Sequence, residues 1–162
     1  MLKLIYRGIK RGISDHTLRD ATPAIVNLLI EDELGQTREK VGDVIDQRYI
    51  NAFQRIDADS NQYLMVVVNP EQQIIATCHL TIMPSLTFIG SNRMQIEAVR
   101  VSSGYRGQKI GEWMMNSAFE WARANHVSMI QLTTNKKRPR AKQFYERLGF
   151  TATHEGMKLF IG

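Results

Sequence analysis

Alternation of apolar and polar residues predicts the central strands of a sheet. Apolar residues occupy every second position from Ile74 to Ile82, and residues 63–68 form a short apolar run closed by Asn69 and Pro70. We therefore expect two neighbouring strands joined by a hairpin, the second of which ends at Pro84. Further strands are expected over residues 95–101, 127–133 and 150–161.

Apolar residues at helical spacing predict helices over residues 109–125 and 139–148, the latter ended by Gly149. Nearer the N-terminus, Thr22 and Pro23 match the N-cap and first position of a helix that reaches about Leu34 and stops at Gly35. A second helix is expected to carry the apolar positions between residues 41 and 56. The first strand is either residues 1–9 or residues 16–21, and the sequence leaves this open.

The predicted order of the elements, counted after that first strand, is two helices, three strands, a helix, a strand, a helix and a strand. This order is typical of a mixed α/β sandwich and not of a doubly wound parallel sheet. A length of 162 residues with 43% hydrophobic content suits a single domain over residues 1–162 with one core.

The composition limits the partners, metals and cellular locations that we expect for this protein. A formal net charge of +5 favours an anionic partner, such as nucleic acid, a membrane surface or a phosphorylated cofactor, although solubility alone explains a modest excess. Cys78 is the single cysteine, so neither an intramolecular disulfide nor a thiolate zinc cage can form. The four histidines lack ligand spacing, so no metal is expected. The sequence shows no signal peptide and no membrane-length apolar stretch, so we expect a cytoplasmic protein and no membrane partner.

Residues 99–111, with the sequence VRVSSGYRGQKIG, carry candidate chemistry because a strand runs through a glycine-rich loop into a helix. Gly104 and Gly107 allow tight turns and a close approach of the backbone to a ligand. The N–H groups at the helix start attract anions, and Arg106 and Lys109 add positive charge. A diphosphate suits such a loop, which matches neither the P-loop nor the dinucleotide fingerprint. The alternative interpretation is a plain strand, turn and helix.

The segment of residues 141–150, AKQFYERLGF, adds a second pattern downstream. Together the two segments resemble the GNAT superfamily of N-acetyltransferases, of the bacterial small-amine type. The loop is similar to the family's R/Q-x-x-G-x-G/A pyrophosphate loop, and the second segment to its "A..FYE.LGF" pattern. The resemblance covers roughly residues 62–160. One departure is Lys109, which replaces the middle glycine, and ordinary helical φ and ψ there would tolerate lysine.

The resemblance implies a mostly antiparallel central sheet with a V-shaped splay between its two central strands and helices on both faces. It implies acetyl-CoA as the co-substrate, with main-chain groups of Val99 and Val101 on the pantetheine arm and Asn135 nearby. The pyrophosphate would be held by the loop residues Arg106, Gly107, Gln108, Lys109, Ile110, Gly111 and Glu112. Arg100, Lys142 and Tyr145 complete the expected cofactor-binding set.

Direct attack by an amine requires a base for the ammonium proton and an acid for the departing thiolate. By resemblance, Tyr145 occupies the acid position, although its helical stripe also suits a core aromatic. Glu97 matches the base position of some small-amine members, and it could instead anchor the substrate ammonium or be a surface charge. His79 and His154 are alternative bases. Cys78 has no adjacent base and is expected in the core.

Two functions from different classes follow. The first is an N-acetyltransferase acting on a small-molecule amine whose identity the sequence hides. The alternative is a non-catalytic acyl-CoA-binding or nucleic-acid-associated module that uses the basic run between Lys136 and Lys142. That run contains no interleaved aromatic residue, so nucleic acid is not expected as a partner. The resemblance leaves a homodimer open.

Overall fold

The structure, a computed structural model, describes residues 2–5, 15–31, 33–39, 42 and 44–161. The chain divides into two compact units, residues 1–131 and residues 132–162. The division falls at the end of the fifth strand. The single domain that the sequence predicts stays a prediction.

Within the described residues, five strands form one sheet in the order β1-β2-β3-β4-β5. They are β1 (Lys3–Ile5), β2 (Gln62–Val68), β3 (Ile74–Pro84), β4 (Asn92–Val101) and β5 (Val127–Leu132). The pairs β1–β2, β2–β3 and β3–β4 are antiparallel. Between β4 and β5, the Ser128 hydroxyl donates to the Asn92 carbonyl (3.2 Å) and the Gln131 amide donates to Gln95 (2.9 Å). Since residue number rises together in both contacts, β4 and β5 run in the same direction.

The helices are α1 (Asp15–Leu29), α2 (Glu33–Gln36), α3 (Gln47–Ala58), α4 (Thr87–Gly90), α5 (Ile110–Ala124) and α6 (Pro139–Arg147). Both α1 and α5 pack against β3 and β4. Residues 75–78 of β3 are all buried, so both faces of the strand are covered. The largest fully buried side chains include Met65, Leu80, Met94, Ile96, Met114 and Met115. The mixed α/β fold with a mostly antiparallel sheet is therefore confirmed, and the V-shaped splay stays a prediction.

The predicted start of the first helix was wrong. α1 begins at Asp15, so Pro23 lies inside the helix, and residues 16–21 are helical instead of forming the first strand. A proline removes one helical hydrogen bond, but burial of the apolar face formed by Ile25, Val26 and Leu28 outweighs that loss. The other alternative for the first strand is confirmed, because β1 lies within residues 1–9.

The helix ends at Leu29 and not near Leu34, and Gly35 has a different role from a stop signal. A Cβ on Gly35 would lie 1.9 Å from the carbonyl oxygen of Leu29. Glycine is therefore required here because the chain folds back tightly onto the end of α1.

Two further boundaries differ from the prediction. α3 starts at Gln47 because the Asp46 carboxylate caps it by accepting from the Arg48 N–H (2.8 Å). Val44 precedes this helix and is exposed, and Val41 lies outside the described residues. The strand predicted over residues 150–161 is absent from that described segment, which is exposed from Thr151 onward and pairs with no strand of its own unit.

No helix in the described ranges is long and apolar enough to span a membrane.

Candidate active site

A β-bulge interrupts β4 beside the predicted base. His79 pairs with Glu97 and Thr77 pairs with Arg100, so two residues of β4, Ala98 and Val99, lie opposite one residue of β3. Ala98 has a φ of 51°, in the left-handed region that favours glycine. A bulge of this kind bends the strand and increases its twist, so β4 changes direction just before the glycine-rich loop.

The loop after β4 contains a left-handed glycine and leads into the N-terminus of α5. Gly107 has a φ of 79° with open space where a Cβ would lie. Ile110, which is buried, fixes the first turn of α5, and the N-cap of this helix makes no side-chain hydrogen bond. The first N–H groups of a helix have no partner within it and lie at its positive end, so they are suited to an anionic ligand.

Lys109 is the N-cap of α5, and its backbone is left-handed (φ 60°, ψ 10°). The condition under which lysine would be tolerated here, ordinary helical dihedrals, is therefore not met. The position requires a conformation that glycine adopts without strain and that a side chain disfavours.

A shallow cavity lies at this end of α5. Its volume is about 370 Å³, and it is lined by Leu2, Gln108, Lys109, Ile110 and Trp113. Three of the five lining residues belong to the predicted pyrophosphate loop. The first unit therefore offers space where the sequence predicts the cofactor.

Arg106 is held by two contacts within the first unit. Its Nε donates to the Val101 carbonyl (3.0 Å), and its guanidinium also pairs with the Glu31 carboxylate (3.1 Å). The same carboxylate oxygen accepts from the Ser103 N–H at 2.7 Å. Glu31, which follows α1, therefore ties the end of that helix to the glycine-rich loop.

The main chain of β4 carries the other predicted cofactor contacts. The Val99 carbonyl accepts from the Arg100 guanidinium (2.9 Å), as the Val101 carbonyl does from Arg106. A ligand amide that donated to either carbonyl would share it with an arginine. Each carbonyl has two lone pairs, so such sharing is chemically feasible.

Polar side chains from three neighbouring segments meet around His79. Its Nε2 lies 2.9 Å from the Gln62 amide oxygen, and the Gln62 amide nitrogen donates to the Asp59 carboxylate (3.1 Å). Burial lowers the pKa of the half-buried His79, while the charge of Glu97 across the strand pair acts in the opposite direction. Glu97 itself is exposed on the edge of this cluster.

The remaining predicted site residues lie in the second unit. The Asn135 side-chain oxygen accepts from the Lys137 N–H (2.9 Å), so it supports the turn that leads into α6. Lys142 is exposed and pairs with Glu146 at 3.5 Å. Tyr145 is half-buried and makes edge-to-face contacts with Phe144 and Phe150. The structure thus groups the loop residues with Glu97 in one unit and Asn135, Lys142 and Tyr145 in the other.

The remaining candidates from the sequence are the Cys78 thiol, the His154 ring and a possible metal site. Cys78 is buried, and this burial raises the pKa of its thiol to about 12. His154 is exposed, and its ring lies 2.7 Å from the hydroxyl of the adjacent Thr153. Among the described side chains, no group of three or more His, Cys, Asp or Glu is arranged to hold a metal ion.

Sequence reasoning missed Glu31, Gln62 and Asp59. Glu31 contacts a residue 72 positions away, so no local pattern could have indicated it. The turn between α3 and β2 does carry a signal, because Asp59 accepts from the Asn61 N–H (2.9 Å) in a side-chain turn that the pattern Asp-x-Asn suggests. Only the strand register, however, brings Gln62 to His79.

Comparison with known proteins agrees with this geometry. The model of the acetyltransferase (GNAT) family matches residues 23–150, which is most of the chain. The chain belongs to the GNAT acetyltransferase family. The family match runs across both compact units and includes the loop and the segment of α6.

Individual relatives add detail. A glucosamine 6-phosphate N-acetyltransferase from Trypanosoma brucei brucei is 31% identical over 90 residues, covering 56% of this chain and 59% of that protein. The chain thus spans about three fifths of the length of this curated relative. The crystal structure of a transcriptional regulator from Bacillus halodurans C-125 is 36% identical, with a TM-score of 0.87 over 99% of this chain and 100% of that one.

A third relative shares the GNAT fold at low identity. The crystal structure of glucosamine-6-phosphate N-acetyltransferase from Arabidopsis thaliana has a TM-score of 0.75 at 20% identity, covering 100% of this chain and 99% of that one. Its likeness shows the fold alone.

Proposed function

We propose that the protein is an N-acetyltransferase that transfers the acetyl group of acetyl-CoA to a primary amine by direct attack in a ternary complex. The observation that carries the proposal is the backbone of the loop between β4 and α5. It presents left-handed residues, a helix N-terminus without a side-chain cap and an adjoining cavity at the position where the family binds a pyrophosphate.

The residues of the first unit fit the phosphates of coenzyme A. Gly107 has open space where a Cβ would lie, so a phosphate oxygen can approach its main chain closely. N–H groups from Arg106 to Glu112 would hold the pyrophosphate, and Lys109 adds an exposed positive charge. In the same unit, main-chain groups of Val99 and Val101 would bind the pantetheine arm, with Arg100 beside them. From the second unit, we propose Asn135 and Lys142 as further cofactor contacts.

Bound acetyl-CoA would supply an activated thioester, whose carbonyl carbon forms a bond to the amine nitrogen as its bond to sulfur breaks. The chain must take one proton from the acceptor ammonium and supply one to the thiolate. We propose Tyr145 as the donor to sulfur, because the residues around it match the family segment. The proton acceptor belongs to the cross-strand pair of His79 and Glu97, of which the sequence favours Glu97.

The acceptor is proposed only as a class, a small primary amine. A relative with 31% identity is a glucosamine 6-phosphate N-acetyltransferase, so an amino sugar phosphate is the first compound to test. Polyamines, amino acids and aminoglycosides complete the panel. A homodimer and a cytoplasmic location stay predictions.

The test combines cofactor binding with turnover. A ligand at 100 times its dissociation constant stabilises the folded state by about 2.7 kcal/mol. For a chain of this size, such stabilisation raises the melting temperature by roughly 5 to 10 °C. We expect this shift with acetyl-CoA, and release of free thiol when an accepted amine from the panel is added. No shift together with no thiol release from any amine would refute the proposal.

A second candidate is a nucleic-acid-associated role, which one observation favours. The relative at 36% identity is described as a transcriptional regulator, and Lys136, Lys137, Arg140 and Lys142 are exposed in this chain. Binding of labelled duplex DNA would then fall steeply between about 50 and 200 mM salt. Salt-sensitive DNA binding without an acetyl-CoA melting shift would favour this candidate over the enzyme.

A further inference from the structure

We infer that His79 is the proton acceptor of the transfer reaction through its Nδ1 atom, and that Asp59 and Gln62 are positioning residues that keep the proton of the ring on Nε2. The inference rests on the proposed function and deepens it. It follows from the direction of each hydrogen bond in the chain of contacts Asp59–Gln62–His79.

The first step is the orientation of the Gln62 amide. Asp59 accepts from the Asn61 N–H (2.9 Å) and from the Gln62 amide nitrogen (3.1 Å). These bonds, led by the one from Asn61, lower the pKa of Asp59, so the group stays an ionised carboxylate and can only accept. The NH₂ group of Gln62 must therefore face Asp59, and its oxygen must face His79.

The second step is the tautomer of the imidazole. Nε2 of His79 lies 2.9 Å from that amide oxygen, which has no proton to give. The close contact is a hydrogen bond only if Nε2 carries the proton. In a neutral ring the other nitrogen, Nδ1, then holds a free lone pair, and this is the atom that can accept a proton.

The third step concerns charge. Burial lowers the pKa of His79, so the ring is neutral at neutral pH and available as a base. Glu97, paired with it across β3 and β4, opposes this effect and would stabilise the imidazolium formed on proton uptake. Glu97 on β4 and Asp59, which acts through Gln62, are the acidic groups near the ring, and Arg100, opposite Thr77, lies on the same side of the sheet. Glu97 becomes the counter-charge in place of the base.

The proton balance is complete without any further reactant. Nδ1 of His79 takes one proton from the acceptor ammonium before attack and returns it to solvent afterwards. Tyr145 gives its proton to the departing sulfur and regains one from the nitrogen that has become an amide. One ammonium and one thioester thus yield an amide, a thiol and one released proton.

The tautomer can be measured directly on the full chain. In protein labelled with ¹⁵N-histidine, long-range ¹H–¹⁵N spectra distinguish a protonated Nε2 from a protonated Nδ1, and His79→Gln assigns the signals. We expect the Nε2–H form in the unmodified protein and loss of this preference in Gln62→Leu. The control Gln54→Leu, at an exposed position of α3, should leave it unchanged. An Nδ1–H form in the unmodified protein would overturn the inference.

Kinetics test the role in the reaction. We expect His79→Gln to lower kcat about 100-fold and Gln62→Leu about 10-fold, with the KM for acetyl-CoA unchanged in both. Gln62→Glu keeps an acceptor opposite Nε2 and should restore part of the loss, which a merely structural role would not produce. An unchanged kcat in His79→Gln or Gln62→Leu would refute the assignment.

Different results would refute the acetyltransferase proposal and the assignment of His79. The tautomer measurement needs neither acceptor nor cofactor. An incorrect acetyltransferase proposal would show as the absence of a melting shift with acetyl-CoA, whereas an incorrect assignment of His79 would show as a protonated Nδ1.

Discussion

Replacing Lys109 with glycine should stabilise the protein, because Lys109 has a left-handed backbone at the N-cap of α5. This conformation costs a residue with a Cβ roughly 1 to 2 kcal/mol, and glycine avoids that cost. Glycine also gives the unfolded chain more freedom, which offsets about 0.4 to 1 kcal/mol of the gain. The expected net gain is about 0.5 to 1 kcal/mol, or roughly 2 to 3 °C in melting temperature for a chain of this size.

The assay is thermal unfolding of three variants beside the unmodified protein. Lys109→Ala removes the same charge but keeps a Cβ, so it should show no gain. Lys137→Gly makes the same substitution at an exposed lysine without positive φ and should lower the melting temperature. A Lys109→Gly protein that melts at or below the temperature of Lys109→Ala would refute the reasoning from backbone strain.

Three other outcomes are expected. Ala98→Val should lower the free energy of unfolding in urea by about 1 to 2 kcal/mol, while Ala98→Gly should not, because only the branched side chain worsens the left-handed bulge; equal stabilities would contradict this. Cys78, whose pKa burial raises to about 12, should resist a thiol reagent at neutral pH until urea unfolds the chain, and rapid labelling of the folded protein would be inconsistent with the buried site. Tyr145→Phe should lower turnover about 10-fold or more and preserve the melting shift with acetyl-CoA, and normal turnover would remove Tyr145 from the acid role.

The elements with strong periodicity could be predicted from the sequence. β2, β3, α5 and α6 lie within a few residues of the predicted bounds, because alternation and helical spacing report burial directly. The start of α1 could not be predicted, since burial of its apolar face overrides the local signal of Thr22 and Pro23. A final strand is predicted over residues 150–161, but a strand needs a partner, and the segment after α6 has none in its own unit.

The sequence could indicate a candidate site only where the chemistry is local. The loop residues from Arg106 to Glu112 are consecutive in sequence, so their pattern indicated an anion site. The environment of His79 depends on register and on a turn 20 residues earlier, which no local pattern reports. Glu31 reaches the loop through the tertiary fold alone.

The bulge in β4 also decides how this strand should be redesigned. In a regular strand, Val99 would follow Glu97 on the same side of the sheet. The register instead places Arg100 on that side, opposite Thr77 and on the same side of the sheet as His79. Deleting Ala98 would straighten the strand, and the last three residues of the strand would keep their side chains on the same faces of the sheet. A single deletion in β4 outside the two bulge residues, Ala98 and Val99, would instead exchange the two faces at one end of the strand. Gene libraries and chimeras should therefore confine single deletions to these two positions.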